Sequence, residues 1–144
     1  MAKTFGVTIM TAACIGLAVS VPARAQTKLE AGTSWVNDDG SVLSISTIAP
    51  NGLLSGTFMS MTGCGAKQAQ PVTGWYAAGT TGGAITFSVA WDGCNAVTTW
   101  SGQYSNATGR FQALWYYAAA AAPAWNGIVA GSHTFVPQPA PRKL

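Results

Sequence analysis

Along residues 84–91 apolar and polar positions alternate, with Ile85, Phe87, Val89 and Trp91 set against Thr86, Ser88 and Ala90. Residues two apart in an extended chain share a face, so the segment predicts a strand with one apolar side. Residues 96–104 do the same: Ala96, Thr98, Trp100 and Tyr104 fall on one face, opposite Thr99, Ser101 and Gln103. Only Asp92-Gly93-Cys94-Asn95 separates the two segments. Each strand therefore carries one Trp on its inward face, close to the loop that joins them.

The rest of the chain divides in the same way into short alternating segments bounded by turn residues, the pattern of an antiparallel barrel or sandwich. Residues 35–37 meet the tight-turn signal Asp38-Asp39-Gly40, and residues 41–48 carry Leu43 and Ile45 on one face. Pro50-Asn51-Gly52 predicts a second hairpin turn into residues 53–60. Residues 61–71 are expected as a loop containing Cys64, 72–77 as a strand and 79–83 as a turn. Asn106-Ala107-Thr108-Gly109 turns the chain into residues 110–117, and 127–136 closes the domain. The Ala run 118–122 is too short to nucleate a helix before Pro123, so it is expected as the loop before Trp125. Eight strands joined this closely leave no room for a crossover helix, and neighbours in sequence should be neighbours in space.

At 144 residues the chain is one domain, and with 49% hydrophobic and 8% charged residues it is too apolar for disorder and too interrupted by Gly, Ser and Thr for a membrane protein. Residues 1–25 read as a secretory signal: Lys3, an apolar core over residues 5–21, then Ala23-Arg24-Ala25 as a small-x-small cleavage site. That leaves residues 26–136 for the barrel and a Pro-rich, basic tail over 137–144, expected to be flexible, in a secreted or periplasmic protein. Without the signal there remain five basic residues (Lys28, Lys67, Arg110, Arg142, Lys143) and four acidic ones (Glu30, Asp38, Asp39, Asp92), so charge makes no case for a nucleic-acid or membrane partner. Cys14 leaves with the signal, and Cys64 and Cys94 remain as an even pair expected to form a disulfide. No metal site is expected, because two Cys with His133 as the one imidazole cannot complete a tetrahedral zinc shell.

Closed into a barrel, eight strands leave an interior just wide enough for packed side chains or one small ligand. A ligand site needs apolar walls and a few inward polar groups. Trp91, Trp100 and Trp115 supply the first, and Asn37, Ser41, Ser60 and Thr98 share parity with inward apolar residues. Catalysis would need an acid for His133 from Asp38, Asp39 or Asp92, and no nucleophile motif accompanies it. The chain therefore reads as a binder and not an enzyme.

Several runs resemble the avidin and streptavidin family of biotin-binding proteins, in the family's order. Thr98-Thr99-Trp100-Ser101-Gly102-Gln103 is similar to its near-diagnostic sixth-strand run. Residues 32–41 resemble the first hairpin, 52–60 the third strand, Ala124-Trp125-Asn126-Gly127 the late Trp motif and Gly131-Ser132-His133-Thr134-Phe135 the closing Gly-x-Asp-Thr-Phe. Cys64 and Cys94 resemble the pair that links the third-to-fourth and fifth-to-sixth strand loops in bacterial members. The resemblance implies an all-β, eight-stranded antiparallel up-and-down β-barrel that holds biotin non-covalently, with no cofactor.

Residue by residue, it implies that Asn37 and Ser41 donate to the ureido oxygen of biotin, where Phe58 stands for a Tyr that would donate a third hydrogen bond. Ser60 and His133 would meet the ureido N–H groups, His133 standing for an Asp and accepting one bond through a neutral ring. Thr98 with Trp91, Trp100 and Trp115 would hold the thioether ring. Ala96 stands where a Ser would bind the valerate carboxylate, shared with the loop over residues 62–64. Trp125 would be lent to a neighbouring subunit, which implies a homo-oligomer, dimer or tetramer. With three polar groups replaced, the resemblance implies weakened affinity; the alternative is a barrel for another small, less polar ligand.

Overall fold

The computed structural model describes residues 28–121 and 123–139. The proposed signal over residues 1–25 and residues 140–144 of the proposed 137–144 tail lie outside the described residues, whereas Pro137 ends the last strand and the Gln138 N–H donates to the Ser34 carbonyl at 2.8 Å. Eight strands follow one another: β1 (Ser34–Asn37), β2 (Val42–Ile48), β3 (Leu53–Met59), β4 (Ala69–Ala78), β5 (Gly82–Trp91), β6 (Ala96–Ser105), β7 (Arg110–Ala119) and β8 (Ile128–Pro137). Each pairs antiparallel with the next, and β8 returns to β1 through Trp35↔Pro137, Val36↔Val136 and Asn37↔Phe135, which closes the barrel. The all-β up-and-down barrel read from the alternation is the fold, and closure leaves no unpaired edge.

Three strands run two or more residues past their expected bounds. β4 begins at Ala69, so residues 69–71 are strand and not loop, and Pro71 pairs with Thr57. Pairing of β4 with β5 begins only at Val72, so at Pro71 the strand is locally an edge, where a missing N–H is tolerated. β5 begins at Gly82, which pairs with Ser105, and Gly83 pairs with Ala78 and Tyr104 while lying under the ring of Tyr76, whose Cζ and hydroxyl oxygen would each stand 2.6 Å from a Cβ there. β7 takes in Ala118 and Ala119, which pair with Val97 and Ala96, so the first two residues of the Ala run are strand.

The interior is filled by aromatic rings that run from one end towards the other. Trp35, fully buried, meets Tyr104 edge-on at 5.8 Å and Phe111 at 5.5 Å; Phe111 stacks on Phe135 at 4.3 Å, and Phe135 meets Phe87 at 6.0 Å. Phe87 then stacks on Trp100 at 4.7 Å, and Phe58 bridges Trp100 at 4.8 Å and Trp91 at 6.2 Å. Such pairs add roughly 0.5–1.5 kcal/mol each beyond their buried area. They plug the half of the barrel around Trp35 and leave the other half, around Trp91, to hold something else.

Burial raises the pKa of the Tyr104 hydroxyl above its ordinary 10.0, with the Glu30 carboxylate adding to the effect, and burial followed by Tyr104 does the same for Tyr76. A proton held more tightly in the folded state than in the unfolded chain stabilises the fold below the unfolded value, and that contribution is lost as pH rises past it. The thermal midpoint should therefore fall between about pH 9.5 and pH 11. The Tyr76→Phe/Tyr104→Phe variant should show a flatter profile; identical slopes would contradict the assignment.

Candidate functional site

The first turn shows how the chain builds its polar corner. Gly40 takes a φ of 81° in the turn after Asp39, a conformation that costs other residues more. The turn folds back so that the backbone N–H groups of Asp39 and Ser41 donate to Asn37 Oδ1 at 3.1 and 2.7 Å. These bonds fix the amide, and the Asn37 Nδ2 is left buried with no partner among the described residues. Ser41, also buried, accepts the Met61 N–H at 3.0 Å, which leaves its own hydroxyl proton available.

A cavity of about 280 Å³ opens at this end of the barrel. Its walls are Phe58, Trp91, Trp100, Trp115, Tyr117 and Val129, and its polar groups come from Asp39, Ser41, Ser60, Thr98, His133 and the loop residues Thr62, Gly63 and Cys64. Trp91 Nε1–H donates to Thr98 Oγ1 at 2.7 Å, so Thr98 keeps a proton to donate elsewhere. Ser60 uses its proton on the Thr62 carbonyl at 2.7 Å and accepts the Thr62 N–H at 3.3 Å, which leaves it one acceptor lone pair. Cys64 and Cys94 are disulfide-bonded with Cα atoms 6.1 Å apart, which ties the β3–β4 loop to the β5–β6 loop over the mouth.

Trp115 stands over Gly131 on the adjacent strand, where a Cβ would fall 2.7 Å from the indole Cε2 and 3.0 Å from Nε1. Gly131→Ala should push the ring off this wall. Tryptophan emission should shift and unfolding stability fall by about 1–3 kcal/mol, as overpacking costs elsewhere; unchanged emission would show that the wall absorbs the methyl group.

His133, on β8, faces the first turn with both ring nitrogens engaged. Trp100 Nε1–H donates to Nδ1 at 3.3 Å, and Nε2 lies 2.8 Å from Asp39 Oδ2. An Nδ1 that accepts a hydrogen bond carries no proton, so the ring proton is on Nε2 and points at the carboxylate. The expected acceptance of a ligand N–H by His133 thus has no lone pair to use in this geometry. The same arrangement pairs an acid with the lone His, but the far side of the ring is held by an indole, and among the described residues no Ser or Cys is hydrogen-bonded to it. Asp38, Asp39 and His133 also bring ligand-type atoms within 4.8 Å of one another. A cation would have to displace the Nε2 proton while Trp100 holds Nδ1, which demands an imidazolate.

Of the residues singled out in the sequence, Ser41, Phe58, Ser60, Cys64, Trp91, Thr98, Trp100, Trp115 and His133 line the cavity. Asn37 lies buried at the head of the turn that carries Ser41, and Ala96 is buried at the start of β6 beside Trp91. Trp125 is apart from the wall, 86% exposed on the β7–β8 loop with a φ of 72°. Three wall residues went unassigned. Tyr117 lies two residues beyond Trp115 on the same inward face, and Val129 pairs with it. Asp39, between Asn37 and Ser41, reads in the sequence as a turn residue and as one of three acids that could face His133, not as a wall residue.

The avidin family model matches residues 25–138. The crystal structure of core-bradavidin is 46% identical over 74% of this chain and 98% of that one, with a TM-score of 0.68. Bradavidin is 43% identical over 78% of this chain and 83% of its own, with a TM-score of 0.69. A substituted shwanavidin solved as a biotin complex is 34% identical over 78% of this chain and 99% of its own, with a TM-score of 0.66. With the closed barrel, the bridged loops and the Trp-walled cavity, these matches show that the chain belongs to the avidin family.

Proposed function

We propose that the cavity binds biotin, through Asn37 and Ser41 on the ureido oxygen and the Trp91, Trp100 and Trp115 walls around the ring system. The observation that carries this reading is the buried, unpartnered Nδ2 of Asn37 beside a Ser41 hydroxyl with a proton to spare. A buried donor without a partner costs about 1–3 kcal/mol. A carbonyl oxygen between the two donors would recover that cost, in the manner of an oxyanion hole. Thr98, its oxygen already accepting from Trp91, has a proton for a thioether sulfur.

Affinity is lower than a full polar set would give. Phe58, Ala96 and His133 each withhold a hydrogen bond worth about 0.5–1.5 kcal/mol, more where charge is involved, and together the three amount to roughly two to four powers of ten. Asn37→Asp keeps the oxygen that organises the turn but sets a carboxylate in place of the donor. Biotin affinity should fall at least about 100-fold while the unfolding midpoint moves little. An unchanged affinity would remove Asn37 from the site. Phe58 and Ala96, both buried beside the cavity, favour a second reading in which the ligand is a less polar ring compound. Tighter binding of such a ring than of biotin would select it.

Secretion through residues 1–25 and release of a chain beginning near residue 26 complete the proposal. So does a homo-oligomer in which Trp125 covers a neighbour's cavity. Trp125 is 86% exposed in a backbone conformation unusual for a bulky residue, and Leu114, Tyr116 and Ile128 form an exposed apolar outer face on β7 and β8. Sedimentation should give a dimer or tetramer, and Trp125→Ala should weaken binding without unfolding the barrel; a monomer at micromolar concentration would refute the shared lid.

A further inference from the structure

The geometry points to Asp39 as the anionic acceptor for a ligand N–H, with His133 as the positioning residue that holds its carboxylate. The inference rests on the biotin reading and assigns a residue that the reading leaves open. A cyclic urea presents one oxygen and two N–H donors. Asn37 Nδ2 and the Ser41 hydroxyl suit the oxygen, and Ser60 has one acceptor lone pair left for one N–H. The second N–H needs another acceptor on the same wall. His133 cannot supply it, since Trp100 occupies Nδ1 and the proton sits on Nε2.

Asp39 can. Its side chain lines the cavity next to Ser41 and His133, Oδ2 takes the Nε2 proton at 2.8 Å, and Oδ1 has no partner among the described residues. It is also the one formal negative charge on that wall. The neighbouring Asp38 does not line the cavity; its Oδ2 accepts the Thr134 N–H at 3.4 Å. The negative charge that an Asp at position 133 would have carried on β8 is thus delivered from the first hairpin turn, and the indole–imidazole–carboxylate chain fixes where it stands. Half exposure of the carboxylate weakens the bond relative to a buried one.

The test is a double-mutant cycle read by biotin titration. Asp39→Asn in the native background should weaken biotin about 10- to 50-fold, the lower part of the range for a charge-assisted hydrogen bond. Asp38→Asn should leave affinity within about twofold. In a His133→Asp background two carboxylates face one another and repel. Asp39→Asn should there cause no loss and can raise affinity. This reversal of sign is what a merely structural role for Asp39 would not produce. In the ligand-free protein, imidazole nitrogen NMR should find Nε2 protonated and Nδ1 bare.

Native affinity retained in Asp39→Asn, or the same loss in both backgrounds, overturns the inference. So does an Nδ1-protonated ring. Failure of the native chain to bind biotin at all overturns the biotin reading instead, and the NMR result still reports on the Asp39–His133–Trp100 chain.

Discussion

Trp100→Ala is expected to have the largest effect of any single substitution. Trp100 is 4% exposed, stacks on Phe87 at 4.7 Å, meets Phe58 at 4.8 Å and donates its indole N–H to His133. It therefore belongs at once to the aromatic filling and to the cavity wall. Removal of a buried Trp costs about 3–5 kcal/mol. The lower end applies because the void merges with an open cavity that water already reaches. For a domain of this size about 3 kcal/mol corresponds to a drop of very roughly 10–20 °C in the thermal midpoint. Biotin affinity should fall by at least about 100-fold, since one face of the site is lost and His133 is released. Trp100→Phe separates the two roles: it keeps a ring on Phe87 and drops the N–H, so most of the stability should survive. Denaturant unfolding with biotin titration reads both, and a midpoint near that of the native chain for Trp100→Ala would refute the packing account.

Loss of the disulfide should cost nearly as much stability through a different route. Cys64 and Cys94 are 30 residues apart in sequence, and a cross-link over a loop of that length removes roughly 3–4 kcal/mol of chain entropy from the unfolded state. The bridge lies in loops at the cavity mouth, with Cys64 on the cavity wall and Cys94 partly buried against the core, so the effect acts on the unfolded chain and on the order of the 62–64 wall. Cys64→Ser/Cys94→Ser should lower the unfolding free energy by about that amount, and biotin affinity should fall modestly as the loop must be ordered on binding. Equal midpoints with and without a reductant would show that the fold holds those loops together unaided.

How much of this could be read beforehand depended on the range of the interaction. Parity placed Trp91, Thr98 and Trp100 on one face because strand geometry is local, and turn chemistry marked Gly40 and Gly52 for the same reason. The bounds of β4 and β5 were not local. Pro71 and Gly83 are turn residues by type, and only their pairing partners, Thr57 for the first and Ala78 and Tyr104 for the second, make them strand. The pairing of Asp39 with His133 is not local either: 94 residues separate them, and the sequence offers Asp38 and Asp92 on equal terms. The sequence suggested a His that accepts from ligand, whereas closure of β8 on β1 surrounds that His with an indole and a carboxylate. Tyr117, two residues past Trp115, shares that residue's face by the same local rule.

The central claim is that this cavity is a biotin site held by hydrogen-bond donors on Asn37 and Ser41 within a tryptophan box. Calorimetric titration of the chain from residue 26 with biotin at about pH 7.5 tests it most directly. Saturation is expected at one biotin per chain, with a dissociation constant two to four powers of ten weaker than the tightest non-covalent pairs reach. No heat and no binding up to high micromolar biotin would contradict it, and would leave the avidin barrel with another ligand.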